Sequence, residues 1–320
     1  MHLVVICRNE IKRLRQTLES ALPLIDSWTI LDTGSTDGTQ SLAFKVLEGV
    51  PGQLVSTIWP DSFARARNWA FEHARAYVCQ ESNPYLLVLD AGEQIGTDGR
   101  IHDLTADAYT VQVNYGACEF PSTRVFRART PWTWRYRVHE TAEGGSTVEA
   151  LPGVEVFSDA GDCSAEKYAA YARLSELDLV DYPDDPRVVF YAAQNWYAAG
   201  EFRNALDRYA LRSSMGGYAE EVWYSAMRQG MCFERMGDRE AAAQCYIEAH
   251  EMNPGRAEPA RHLARMLGSA NWTQVADAIP CPASGLFVER DAYAEITRPD
   301  TPQARAAEPG SGPLDWTFDR

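Results

Sequence analysis

The stretch TILDTGSTDGT, residues 29–39, decides how this chain folds. Apolar and β-branched side chains run up to Asp32, and glycine, hydroxyl and acidic residues follow before an amphipathic stretch resumes. Such a run marks a strand that hands over directly to a helix. In open α/β sheets ligands sit beyond the carboxyl ends of the strands. Asp32 is placed to accept hydrogen bonds from a base or ribose, with Thr33 beside it, and Gly34 lets the backbone approach a ligand closely. The same residues also read as an Asx turn and helix N-cap. Taken alone, the segment leaves the two readings balanced.

Working outward, the first half alternates short apolar runs with amphipathic stretches, the pattern of an α/β sheet. Residues 3–8 read as a strand, after which Asn9 is expected to cap a helix carrying Leu14, Leu18 and Leu22 on one face. Residues 53–59 read as a third strand, and Ser62 caps a helix running to about residue 78. Residues 85–90 are almost wholly apolar, as in a strand buried on both faces. Residues 108–115 and 124–127 read as strands at the edge of a mixed sheet.

Near residue 164 the pattern becomes helical. GEFRNALDRY at 200–209 recurs as GDREAAAQCY at 237–246, so that Gly200, Ala205 and Tyr209 return as Gly237, Ala242 and Tyr246. A turn glycine, a small alanine and an aromatic at fixed spacing are what tight helix-hairpin packing needs, and the unit resembles a tetratricopeptide repeat. Three segments are therefore expected: an α/β domain over 1–163, a helical repeat domain over 164–270 and an irregular tail over 271–320.

Composition narrows the function classes. The chain has 320 residues, 45% of them hydrophobic, and its longest apolar runs are strand-sized, so no membrane span is expected. Seven cysteines stand singly with no CxxC pair, which points to free thiols in a reducing, cytoplasmic setting. A net charge of −15 argues against non-specific binding to a phosphate backbone.

Five ordered motifs then tie the first half to a known family. DTGSTDGT at 32–39, CRNE at 7–10, DSFARARNWA at 61–70, LVLDAGE at 87–93 and RVHE at 137–140 resemble the motifs of family 2 glycosyltransferases. Their continuation into 183–206 resembles bacterial and phage proteins that join this GT-A domain to tetratricopeptide-like repeats. The resemblance implies a nucleotide-diphospho-sugar donor, with UDP the expected nucleotide. The base would lie near Arg8, Glu10, Asp32, Thr33 and Gly34, with Arg67 offered to the nucleotide. It also implies a divalent cation, manganese or magnesium, that neutralises the diphosphate. Glu140 would be the base that takes the acceptor proton in an inverting displacement, with His139 beside it.

Two positions depart from the family pattern. Asp90 is kept, but Gly92 stands where the second aspartate of the acidic motif is expected, and DAG at 159–161 replaces a histidine element. The expected ligand set is therefore Asp90, Glu93 and Asp159, oxygen donors suited to magnesium or manganese. Asp90 with waters would hold the ion at lower affinity, and a metal-free alternative uses basic side chains such as Arg135 or Arg137. Trp132, Trp134 and Tyr136 form an aromatic stripe suited equally to stacking on a ligand or to core packing. The acceptor is expected to be a protein or peptide held by the repeats, with saccharide or DNA as alternatives, and the helical module offers a surface for homo-oligomers. The competing reading is a catalytically inactive nucleotide-sugar-binding or scaffold protein.

Overall fold

The computed structural model describes residues 1–99, 101, 103–115, 118–158, 164–282 and 287–293. The chain divides near residue 163 into two compact units.

The first unit is built on β1 (His2–Cys7), β2 (Ser27–Asp32), β3 (Gly52–Ser56), β4 (Tyr85–Val88), β5 (Glu93–Thr97), β6 (Ala108–Tyr115), β7 (Cys118–Arg127) and β10 (Val148–Ser158). They form one sheet in the order β3-β2-β1-β4-β7-β6-β10-β5. The first four strands pair in parallel, β7 runs antiparallel to both β4 and β6, and β10 pairs parallel to β6 and antiparallel to β5. A two-stranded ribbon, β8 (Thr133–Arg135) with β9 (Thr141–Glu143), completes the β structure.

Alternation along the strands fixes the layers. Leu3 and Val5 join Leu14, Leu18 and Leu47 on one face, so α1 (Leu14–Ala21) and α2 (Thr39–Val46) pack there. Val4, Leu31, Leu86 and Val88 pack with Ala66, Ala70 and Phe71, which places α3 (Phe63–Tyr77) on the other. Each such fully buried aliphatic or aromatic side chain contributes roughly 1.5–3 kcal/mol. The aromatic stripe divides: Trp132 and Trp134 pack on Phe126 in this core, and Trp134 also meets Phe71 edge-on at 5.7 Å between ring centroids. These rings pack against the core.

The chain passes from β3, at one edge, back across β1 to β4. The β1–β4 boundary is therefore the topological switch point, where a crevice opens beyond the strand ends.

The second unit comprises α4 (Ala165–Asp181), α5 (Pro186–Ala198), α6 (Phe202–Ser214), α7 (Ala219–Met236), α8 (Arg239–Met252), α9 (Glu258–Leu267) and α10 (Ala270–Asp277). The repeated residues do the same work in both copies. Gly200 and Gly237 turn the chain with positive φ, while Ala205, Ala242, Tyr209 and Tyr246 are fully buried. Gly230 of α7 lies against the Tyr246 ring, and a Cβ there would come within 2.7 Å of it. Helix α10 occupies ground expected to be irregular tail, because Ser269 caps it through Trp272 N. Residues 297–313 lie outside the described residues.

Candidate active site

The loops after β1 and β2 are lashed together. Asn9, expected to cap a helix, instead takes positive φ and accepts a hydrogen bond from Thr36 N at 2.8 Å. Its own amide donates to Ser35 Oγ at 2.8 Å, Glu10 N donates to Thr39 Oγ1, and Ile11 N donates to Asp37 Oδ2. Helix α1 accordingly starts one turn later, at Leu14.

Asp32 organises the turn that follows β2. Its Oδ1 accepts from Gly34 N at 3.0 Å, Ser35 N at 2.8 Å and Gln40 Nε2 at 3.0 Å. Burial opposes ionisation of this carboxyl, but the bonds from Ser35, Gln40 and Gly34 together outweigh it and hold it below the usual range. Beneath it, burial and then the nearby Asp32 charge push the Cys7 thiol well up, so it stays a neutral core group. Thr33 is buried, and its hydroxyl donates to Cys7 O at 3.2 Å. Of the residues expected around a base, Arg8 is exposed and Glu10 half-buried at the loop rim, whereas Asp32 and Thr33 form its floor.

Beyond β4 the expected site residues converge on a chain of charges. Arg67, on α3, donates from Nε to Glu140 Oε1 at 2.6 Å and from Nη2 to Asp90 Oδ1 and Oδ2 at 2.9 and 3.1 Å. Its guanidinium lies 5.0 Å from the Trp134 ring centroid. Burial works against the Arg67 cation, but Asp90 and then Glu140 more than compensate and keep it firmly charged. The Arg67 side chain is only 9% exposed, so it acts first as a bridge between two carboxylates.

Arg124 of β7, a residue the motifs do not include, extends the chain. It donates from Nη2 to Glu93 Oε1 at 2.7 Å and lies 3.8 Å from Asp90 Oδ2. Its buried Nε finds no acceptor among the described residues. Glu93 Oε2 accepts from Asp90 N at 2.8 Å. Burial raises the Glu93 carboxyl above its usual value against the pull of Arg124. Asp90 also suffers burial, but Arg67 and then Arg124 overcome it and hold the carboxyl below the usual range. At 40% exposed, the Asp90 side chain is the open carboxylate of the group, against 7% for Glu93 and 11% for Glu140. His139 is buried with φ 52°. Arg135 pairs with Glu143 at 2.8 Å across the β8–β9 ribbon.

Helix α1 holds the turn between β4 and β5. Gln16 Nε2 donates to Gly92 O at 2.9 Å, Gly92 N donates to Thr17 Oγ1 at 2.9 Å, and Ile95 N donates to Ser20 Oγ at 3.1 Å. Gly92 has φ 104°, and a Cβ there would come within 2.2 Å of Arg13 Nη2 and 2.5 Å of its Cζ.

Within the described residues the expected ligand set for a divalent ion is not complete. Both Asp90 oxygens are held by Arg67, and both Glu93 oxygens are engaged within the protein. Gly92 offers no side chain, and Asp159 lies outside the described residues. Among the described residues no group of three His, Cys, Asp or Glu side chains is arranged to hold a metal.

A sheet of this order, with acidic and basic groups gathered at the carboxyl ends of its parallel strands, defines the first unit as a GT-A-type α/β domain. Residues 2–157 match the family model of glycosyl transferase family 2. Among curated proteins, a TPR repeat-containing protein of Synechococcus elongatus is 34% identical over 93 residues, 29% of this chain. The chain spans only a fifth (20%) of that relative's length. Among solved structures, S. aureus TarS 1–349, alone and in complex with UDP, aligns with TM-score 0.42 and 11% identity, covering 78% of this chain and 90% of TarS. Core-mannan synthase A of Aspergillus fumigatus, in a Mn/GDP form, aligns with TM-score 0.25 and 8% identity over 35% of this chain and 42% of its own. No helix among the described residues is long and apolar enough to cross a membrane.

Proposed function

We propose that this chain is a glycosyltransferase that moves a sugar from a nucleoside diphosphate sugar, UDP-linked in the first instance, to an acceptor nucleophile. One observation carries the reading: within a family 2 domain, Glu140, Arg67 and Asp90 are joined by bonds of 2.6–3.1 Å at the carboxyl ends of the parallel strands.

Glu140 is the base. Arg67 holds Oε1, which fixes the carboxylate's orientation, while no described residue donates to Oε2. The acceptor proton passes to that oxygen as the acceptor attacks the anomeric carbon. The bond from that carbon to the diphosphate oxygen breaks on the opposite side, inverting the centre and releasing the nucleoside diphosphate. Base catalysis of this kind supplies about 10²–10⁴-fold in rate. The Asp32 turn receives the nucleoside end of the donor, and the helical repeats supply a surface for a protein or peptide acceptor. The free thiols of the described cysteines suit a cytoplasmic setting.

The purified protein is expected to release nucleoside diphosphate from at least one of a set of UDP-, GDP- and dTDP-sugars. Glu140→Gln should lose about 10²-fold or more in turnover while still binding donor. Absence of release across the whole set, with every acceptor class supplied, would overturn the proposal.

A further inference from the structure

The position where a second carboxylate is expected holds the opposite charge. Gly92 has no side chain, and the volume its Cβ would fill is taken by the guanidinium of Arg13, with Nη2 and Cζ within 2.2 and 2.5 Å of that point. Gly92 and Arg13 are coupled in space, since any side chain at residue 92 would displace the arginine.

Helical periodicity explains why Arg13 is there. Residues 13, 16, 17 and 20 are spaced i, i+3, i+4 and i+7, so they share one face of α1. Gln16 and Thr17 bond the turn that carries Asp90 and Gly92, and Ser20 accepts from Ile95 N at the start of β5. Arg13 is the next residue along that face, towards the open end of the crevice between β1 and β4. Both loops that meet there follow the carboxyl ends of parallel strands, the place where an open α/β sheet receives a ligand. The nearby carboxylates Asp90 and Glu93 are already engaged by Arg67 and Arg124.

We infer that Arg13 binds the donor diphosphate in this chain, its guanidinium doing at Gly92 what a divalent cation held by a second carboxylate would otherwise do, so that donor binding needs no metal. The inference rests on the glycosyltransferase reading and specifies how its donor is held. Arginine suits the task because its planar fork matches phosphate oxygens in a bidentate manner and keeps its charge at every working pH.

Calorimetric titration of the full chain with UDP, GDP and dTDP, with EDTA and then with excess manganese, tests it. For the nucleotide that binds, affinity should agree within about twofold between the two conditions. Arg13→Gln should weaken that nucleoside diphosphate by about 10-fold or more, with Arg13→Lys intermediate. The parent nucleoside should bind Arg13→Gln as it binds the wild type, which a damaged fold would not allow. Arg15→Gln removes a neighbouring charge that is paired with Glu19, and it should leave affinity unchanged. A loss of about 10-fold or more on chelation, restored by manganese, would overturn the inference and leave the glycosyltransferase reading standing, and so would an Arg13→Gln protein that binds like the wild type. Failure of all three nucleotides to bind in either condition would overturn both.

Discussion

Replacing Arg67 with methionine keeps most of the buried stem and removes the charge that joins Asp90 to Glu140. Breaking a buried pair by deleting one partner costs about 3–5 kcal/mol, because the remaining charge is stranded. The two halves of this bridge are unequal. Arg67 and Glu140 are 9% and 11% exposed and lie 2.6 Å apart, so this bond deserves the full value of a charge-assisted hydrogen bond, about 1.5–3 kcal/mol. Asp90 is 40% exposed, and solvent screening reduces its share to about 1 kcal/mol. Against a typical domain stability of about 5–15 kcal/mol, Arg67→Met should remove about 3 kcal/mol without unfolding the chain. Native-state hydrogen exchange at the β4 amides measures this in the intact protein. Double-mutant cycles with Glu140→Gln and Asp90→Asn divide the loss between the partners. A cost below about 1 kcal/mol would refute the reasoning, as would coupling to Asp90 that exceeds coupling to Glu140. The acid limb gives an independent check. A carboxyl held below its usual value contributes stability that is complete above the unfolded value, about 3.9, and is lost as pH falls through the folded one. Asp90 is such a group, with Arg67 the larger of the two charges that oppose its burial, so in Arg67→Met the acid-side loss should be smaller and should finish at higher pH.

Three further outcomes follow from other parts of the molecule. His2 is buried between Ser27 Oγ and Thr29 Oγ1, and burial lowers its pKa from 6.5 to about 4. The unfolded chain therefore takes up a proton between those values while the folded one does not. Stability should fall by about 3 kcal/mol as pH drops across that window, with the slope removed in His2→Gln and read from urea melts at several pH values. Gly230→Ala gains about 1 kcal/mol of helix propensity but drives a methyl into the Tyr246 ring, which costs about 1–3 kcal/mol. A net loss in urea melts, relieved when Tyr246→Leu is added, is expected, and a net gain would contradict the packing. Asp32→Ala frees Gly34 N, Ser35 N and Gln40 Nε2 at once, so donor affinity in the calorimetric titration should fall about 10-fold or more; unchanged affinity would show that the turn does not receive the donor.

The strands of the parallel half were legible because they are short apolar runs closed by turn residues, and the helical repeat because Gly, Ala and Tyr return at one spacing. Other features were hidden for physical reasons. Asn9 satisfies the cap rule locally, yet its side chain is claimed by Thr36 of a neighbouring loop. Strand β10 contains Pro152–Gly153, which reads as a break, and the register against β6 does shift between Ala150 and Glu155. Arg124 carries no motif. It reaches Asp90 and Glu93 because β7 pairs antiparallel with β4, Val125 facing Leu87, a register that emerges only when the sheet forms. Its one sequence signal is a cation inside an otherwise β-forming run, TRVFR at 123–127. The placement of Arg13 was readable in principle, since its spacing to Gln16, Thr17 and Ser20 defines a helix face.

The charges at the crevice also resolve an apparent conflict in the composition. A chain of net charge −15 looks ill-suited to hold a diphosphate. Exposed charges are screened beyond about 8 Å at physiological ionic strength, however, so the donor responds to its immediate neighbours. Those neighbours are the carboxylates of Asp90, Glu93 and Glu140, matched by the guanidinium groups of Arg13, Arg67 and Arg124. The balance is close to neutral before any ligand arrives. To ligate an ion, Glu93 would have to release Arg124, at a cost of about 3–5 kcal/mol for a buried pair, and Asp90 would have to release Arg67, at a screened cost of about 1 kcal/mol. The same pairing keeps Glu140 in register, because Arg67 fixes one carboxylate oxygen while no described residue donates to the other. Gly92 is the residue on which this arrangement depends. A carboxylate there would remove the room that Arg13 uses and turn a neutral crevice acidic.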